Sequence, residues 1–159
     1  MTDDRKTLLT PEARAKLQEE YDHLTTSGRI YMEERIAEAR SHGDLRENAD
    51  YDAAKNEQGL MEARIRQLRH VLDNSEIMET RATGAVEVGT IATVVDDDGD
   101  EMEFFVAPAE NKVPGVLLAS PDSPLGAALL GARPGDTVTY QAPGGTFSYE
   151  VTGVRPYEG

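Results

Sequence analysis

Two stretches of this chain carry apolar or small side chains in steps of three and four residues, and the two lists fit each other. The first is Leu17, Tyr21, Leu24, Gly28, Met32, Ile36 and Ala39, and the second is Tyr51, Ala54, Gln58, Met61, Ile65, Leu68 and Leu72. Helix is the only regular structure with that period. If the chain folds back at residues 44 and 45, paired positions have a constant sum. Leu17 with Leu72, Tyr21 with Leu68, Leu24 with Ile65 and Gly28 with Met61 sum to 89, while Met32 with Gln58, Ile36 with Ala54 and Ala39 with Tyr51 sum to 90. The pattern predicts an antiparallel coiled-coil hairpin whose seam runs its whole length. At about 1.5 Å per residue, some thirty residues in the first helix make an arm of roughly 45 Å. The seam is bulky near Leu17 and Leu72 and thinner toward Ala39 and Ala54, so the arm is expected to be slender where it ends.

Local signals agree with this reading. In Thr10-Pro11-Glu12 a capping hydroxyl, a proline suited to the first helical position and an acid at the positive end of the dipole mark a helix start. Gly43 breaks the pattern, which places the turn at Gly43 to Leu45. Up to residue 80 there are one proline and three glycines; from 81 onward there are seven and eleven. That shift predicts a hairpin domain over 1–80, with its tip at 43–48, and a second domain over 81–159, with the hinge between Ile77 and Val88.

The second part reads as a small α+β domain. VGTIATVV and EMEFFVA are β-rich runs joined by DDDGD, a hairpin signal. VPGVLLA gives another strand, Ser123-Pro124 starts a short helix that Gly131 ends, and TVTYQA and TFSYEVTGV complete the sheet.

Bulk properties exclude several functions. No stretch approaches the roughly 18 apolar residues of a membrane span, and MTDDRKTLLT has no apolar signal region, so a soluble, cytoplasmic protein without membrane contact is expected. Zero cysteines rule out disulfides, a redox dithiol and a thiolate zinc site. A net charge of -14 opposes sequence-specific DNA binding, and any RNA contact must be local. His23, His42 and His70 lack metal-ligand spacing.

Asp44, Glu47, Asp50 and Asp52 fall within nine residues between the two helices. One reading of Asp44 and Glu47 is structural, a variant capping box at the start of the second helix. The other is chemical. Two carboxylates at the far end of a rod suit a hard divalent cation such as Mg2+, which is commonly held by one or two carboxylates plus phosphates and water. Two carboxylates alone bind weakly, so a partner must supply the remaining ligands.

The segment AEARSHGDLRENADYDAAKNEQGLMEARI resembles the signature of the bacterial GreA/GreB family of transcription elongation factors, the transcript cleavage factors. LTPEARAKLQEEYDHL resembles the family's first helix, and SPDSPLGAALLGARPGDTVTYQAPGG its C-terminal domain. The resemblance implies an FKBP-like second domain docking on RNA polymerase. It implies that the arm enters the polymerase secondary channel, where Asp44 and Glu47 help hold a Mg2+ ion that free protein would not retain. The factor would not be an enzyme itself; it would complete the polymerase site that cuts the 3′ end of backtracked RNA. By the same resemblance Arg40 and Lys55 contact RNA, against the alternative of pairing with Glu38, Asp52 or Glu57. Arg46 sits at the variable position of the motif, and Asn48 and Tyr51 match it and are candidates for supporting the tip. Arg64, Arg66 and Arg69 read as a solvated face.

Three rivals stand beside this reading. A prolyl isomerase needs an aromatic-lined pocket, whereas the second part has six aromatic residues and no tryptophan, several of them needed for the core. A Gre-like inhibitor would occupy the channel without promoting cleavage, but its tip would differ from the Asp44, Glu47, Asn48 pattern. A plain coiled-coil adaptor predicts nothing about the tip. The run FFVAPAENKVPGV departs from the family pattern and bears on docking, not on the tip.

Overall fold

The structure is a computed structural model that describes residues 6–41, 48–79 and 82–158. It is α+β and divides into two compact units, Arg14–Asn74 and Met1–Ala13 with Ser75–Gly159. The units part at Asn74, ahead of the expected 77–88 hinge, and the chain's first residues group with its second half.

The helical unit is the expected hairpin. Helix α1 spans Pro11–His23, a π-helical turn spans Leu24–Gly28, α2 spans Arg29–Ser41 and α3 spans Ala49–Asp73. The predicted turn at Gly43 to Leu45 lies outside the described residues. The predicted cap is present at the start of α1, where Thr10 Oγ1 accepts the Ala13 N–H at 3.0 Å. All fourteen seam positions are buried or half-buried, with Met32, Ala39, Ala54, Ile65 and Leu68 fully so. A Cβ built on Gly28 would lie 3.2 Å from Met61 Sδ, which places that pair at one level of the seam.

The π turn is a feature the periodicity did not name. Arg29 N–H reaches back five residues to the Leu24 carbonyl, while Thr25 and Thr26 hydroxyls donate to the carbonyls of Tyr21 and Asp22 at 2.8 and 2.6 Å. A π turn holds one residue more than an α turn. The pairing sum is still 89 at Gly28–Met61 and becomes 90 at Met32–Gln58, so the register changes directly after this turn and both halves of the seam stay buried.

In the other unit β1 (Thr7–Leu9) pairs in parallel with β2 (Ser75–Ile77). A five-stranded mixed sheet has the order β5 (Leu117–Ala119), β4 (Glu101–Val106), β3 (Thr90–Val95), β7 (Gly145–Pro156), β6 (Thr137–Ala142). Alternation along the strands gives the sheet two apolar faces. Ala92, Val94, Val106 and Val151 pack with Leu125 and Leu129 of α4 (Pro124–Leu129), and Ile91, Phe105 and Ala107 pack with Leu8, Met78 and Tyr157. Ser123 caps α4 through the Gly126 N–H at 3.1 Å, as its sequence predicts. Gly126 must be glycine, because a Cβ there would stand 1.8 Å from the Ser120 carbonyl oxygen. The short β1–β2 pair was not foreseen. It is tied down by Asn111, only 1% exposed, whose Oδ1 accepts the Thr10 N–H at 2.7 Å and whose Nδ2 donates to the Leu8 carbonyl at 2.8 Å.

Candidate nucleic-acid interface at the hairpin end

Helix α3 is capped by Asn48, whose Oδ1 accepts the Tyr51 N–H at 3.0 Å. As described, α3 begins at Ala49, and the capping box considered for Asp44 and Glu47 lies outside the described residues. The same side chain donates through Nδ2 to the Ala39 carbonyl at 2.8 Å. That carbonyl lies in the last described turn of α2. Asn48 thus bonds one backbone group on each helix and fixes the distance between them. Asp44, Arg46 and Glu47, the remaining residues expected at the tip, lie outside the described residues.

Arg40 lies over the Tyr51 ring, its guanidinium carbon 5.6 Å from the centroid, and Nη2 donates to the phenolic oxygen at 3.4 Å. That hydrogen bond, with the nearby positive charge, holds the Tyr51 hydroxyl below its usual pKa. Lys55 donates to Gln58 Oε1 at 3.1 Å, so neither cation takes the carboxylate partners considered for it, Glu38, Asp52 or Glu57. Arg40 and Lys55 line one open groove with Glu33, Ile36, Ala37 and Gln58.

Helix geometry explains that grouping. A residue just after a seam position points to one side of the hairpin, and a residue just before it points to the other. Cross-helix ion pairs confirm the rule. Arg29 and Glu62, each following a seam residue, form a fork with both bonds at 3.0 Å. Glu20 and Arg64, each preceding one, form another at 2.6 and 2.8 Å, and Arg35 bonds Glu57 in the same way. Glu20 and Glu62 are held below the usual carboxylate range by the hydrogen bonds from their arginines. Arg64, expected on a solvated face, is thus an interhelical clamp. Arg40 and Lys55 follow Ala39 and Ala54, so they share the Arg29 side.

A second acidic group lies elsewhere. Asp96, Asp98 and Asp100 bring carboxylate oxygens within 4.8 Å of one another in the β3–β4 turn. The turn accounts for it: Asp96 Oδ1 accepts the N–H groups of Asp98 and Asp100, each at 2.9 Å.

The described residues thus form a helical hairpin with two cations in one groove near its end, and a small α+β unit. The family model described as "Transcription elongation factor, N-terminal" matches residues 7–77, and that described as "Transcription elongation factor, GreA/GreB, C-term" matches residues 81–156. The chain belongs to the GreA/GreB family of transcription elongation factors. It is 40% identical over 162 residues to transcription elongation factor GreA of Streptomyces coelicolor, covering 99% of this chain and 98% of the relative. It is 39% identical over 155 residues to GreA of Chloroflexus aggregans, covering 96% and 99%. Among solved structures, GreA factor homolog 1 (Gfh1) of Thermus thermophilus is 24% identical with a TM-score of 0.44, covering 95% of this chain and 99% of that one.

Proposed function

We propose that this factor inserts its hairpin into the RNA polymerase secondary channel and stimulates hydrolytic cleavage of backtracked nascent RNA. The observation that supports this reading is the placement of Arg40 and Lys55 in one groove on one side of the hairpin. That groove leads to an Asn48-clasped pair of helix ends whose connecting sequence carries Asp44 and Glu47. Two cations beside a single acid, Glu33, leave the groove net positive and suit a phosphate of a single strand, while the remaining acidic surface suits no long polyanion. The overall charge of -14 keeps the RNA contact local.

Asp44 and Glu47 are the residues that would hold Mg2+, since their donor set is hard oxygen and leaves most of an octahedral shell to polymerase carboxylates, an RNA phosphate and water. When bound, the ion supplies activation of the attacking water and charge stabilisation in a two-metal phosphodiester hydrolysis. The chain's own contribution is position. Asn48 fixes the helix ends, Tyr51 holds Arg40, and Arg40 and Lys55 steer the RNA 3′ segment along the groove. GreA-type action on short backtracked segments fits a groove with two such cations among the described residues.

Stalled elongation complexes with labelled RNA test this. The parent protein is expected to shorten the transcripts in the presence of Mg2+. Asp44→Asn and Glu47→Gln are expected to lose nearly all cleavage while still competing for the channel, because an amide keeps size but removes charge. Amide variants that cleave at the parent rate would overturn the reading. A parent that binds and slows polymerase without shortening RNA would leave channel inhibition as its function.

A further inference from the structure

The side of the hairpin opposite the basic groove carries its own feature. Tyr31 precedes Met32 and Leu60 precedes Met61, so both lie on the Glu20–Arg64 side. They stand at neighbouring levels, since Gly28 meets Met61 and the sums there are 89 to 90. Tyr31 is 60% and Leu60 65% exposed, among the largest apolar exposures in the described residues. Isolated exposed apolar residues are ordinary, but two side by side on a slender hairpin are a contact feature. The charges nearest them are paired, and the next ones toward the hairpin end, Glu38 and Asp50, are acidic. Toward Leu17 stands the Glu20–Arg64 fork, and toward the hairpin end stands the Arg35–Glu57 pair.

We infer that Tyr31 and Leu60 form a protein-docking patch that seats the hairpin against the channel wall of RNA polymerase and turns the Arg40–Lys55 groove toward the RNA. This rests on the function proposed above. The charge pattern selects the occupant. Cations already forked to carboxylates offer nothing to a phosphate backbone, whereas an apolar pair flanked by paired charges fits an uncharged, apolar protein surface at little desolvation cost. Tyrosine is also the side chain that most often anchors such contacts. The two sides then divide the work: one faces nucleic acid, the other faces protein. A slender rod entering a channel needs that division, because rotation by half a turn about its axis would point the groove at the wall.

The test measures affinity of fluorescently labelled full-length protein for core RNA polymerase, with parent, Tyr31→Ser, Leu60→Ser, the double variant and Ile30→Ser. Ile30 is 57% exposed and lies two positions from the seam residues on either side, so it removes apolar surface comparable to one of the single variants from the outer back of the helix. Helical circular dichroism checks that each variant folds, and Leu60→Ala serves as the milder change. The double variant is expected to bind at least tenfold more weakly, with Ile30→Ser within twofold of the parent. A parent that binds while the double variant binds equally well overturns the patch and leaves the functional reading standing. Equal losses for Ile30→Ser and the double variant also overturn it. Sedimentation showing a parent dimer that the double variant loses, with polymerase binding unchanged, makes the occupant a second copy and overturns the assignment. A parent that does not bind polymerase removes the functional reading and the patch with it.

Discussion

Asn48 joins the two helices of the hairpin through one side chain, donating to the Ala39 carbonyl at 2.8 Å and accepting the Tyr51 N–H at 3.0 Å. Replacing it with Ala is expected to cost about 1 kcal/mol for the lost cap, with a further loss from the missing bond to the Ala39 carbonyl. Asn48→Asp keeps the acceptor and loses the donor, so it should fall between. Chemical denaturation gives the order, and faster amide exchange at Tyr51 in the Ala variant locates the damage.

The π turn makes a deletion unusually benign. Removing Thr26 brings six of the seven pairs into one register, all but Gly28–Met61, so the first helix is expected to become continuous α-helix with the Asn48 clasp intact. Removing Ala37 instead moves the seam residues nearest the clasp, Ala39 among them, out of phase with α3. A structure of the Thr26 deletion that retains the π turn, or a melting temperature as low as that of the Ala37 deletion, would contradict this.

Asn111 serves two backbone groups of the N-terminal strand while 1% exposed. Asn111→Ala strands the Thr10 N–H and the Leu8 carbonyl together, and each buried unsatisfied group costs about 1–3 kcal/mol. The expected loss is at the upper end for a single substitution. Urea denaturation measures it, and a change of under about 0.5 kcal/mol would mean that water or another donor serves the strand equally well.

Acid should loosen the hairpin. Glu20 and Glu62 have folded pKa values below their ordinary ones because Arg64 and Arg29 hydrogen-bond their charged forms. Their contribution is complete above the unfolded carboxylate value of about 4.3 and is lost as pH falls through the lower folded value. Both pairs are partly exposed, so the effect is modest and shrinks with salt. Thermal melts between pH 6 and about 3 are expected to show a shallower acid dependence in Glu20→Gln with Glu62→Gln than in the parent.

In the five-stranded sheet alkali acts instead. The Tyr149 hydroxyl is pushed up to about 12, first by its hydrogen bond with Tyr140 and then by burial. A raised folded pKa contributes stability that is intact below the unfolded value of about 10 and is lost as pH rises toward the folded one. Tyr149→Phe should flatten the decline in stability between those values, read by denaturation at fixed salt.

Isothermal calorimetry of the free protein is expected to show no tight Mg2+ binding, since Asp44 and Glu47 offer too few ligands alone. A strong magnesium isotherm that Asp44→Asn abolishes would mean that the site is complete without a partner.

Much of this was legible in the residues because it depends on local periodicity. A helix must bury one stripe, so Leu17 to Ala39 and Tyr51 to Leu72 announced themselves, and Thr10 and Ser123 marked their helix starts through hydroxyls that serve nearby N–H groups. The runs around Ile91, Phe105 and Tyr149 alternate or branch as strands do, and each is one. Arg40, Asn48, Tyr51 and Lys55 were nameable from a motif, but their partners were not. The cation–π contact of Arg40 and the reach of Asn48 to Ala39 cross from one helix to the other, and no spacing within either helix encodes a distance between them.

The sequence by itself determined that two helices share one seam and that its register changes between Gly28 and Met32, because the sum of paired positions goes from 89 to 90 there. Only the tertiary structure decided how the first helix is wound beside that change. Leu24–Gly28 forms a π turn whose loosened carbonyls the Thr25 and Thr26 hydroxyls help to satisfy, Gly28 packs against Met61, and the seam resumes at Met32. Likewise β1 and β2, three residues each, are too short to show a period. They exist because Asn111, a hundred residues away in sequence, supplies the donor and acceptor that a buried strand cannot do without.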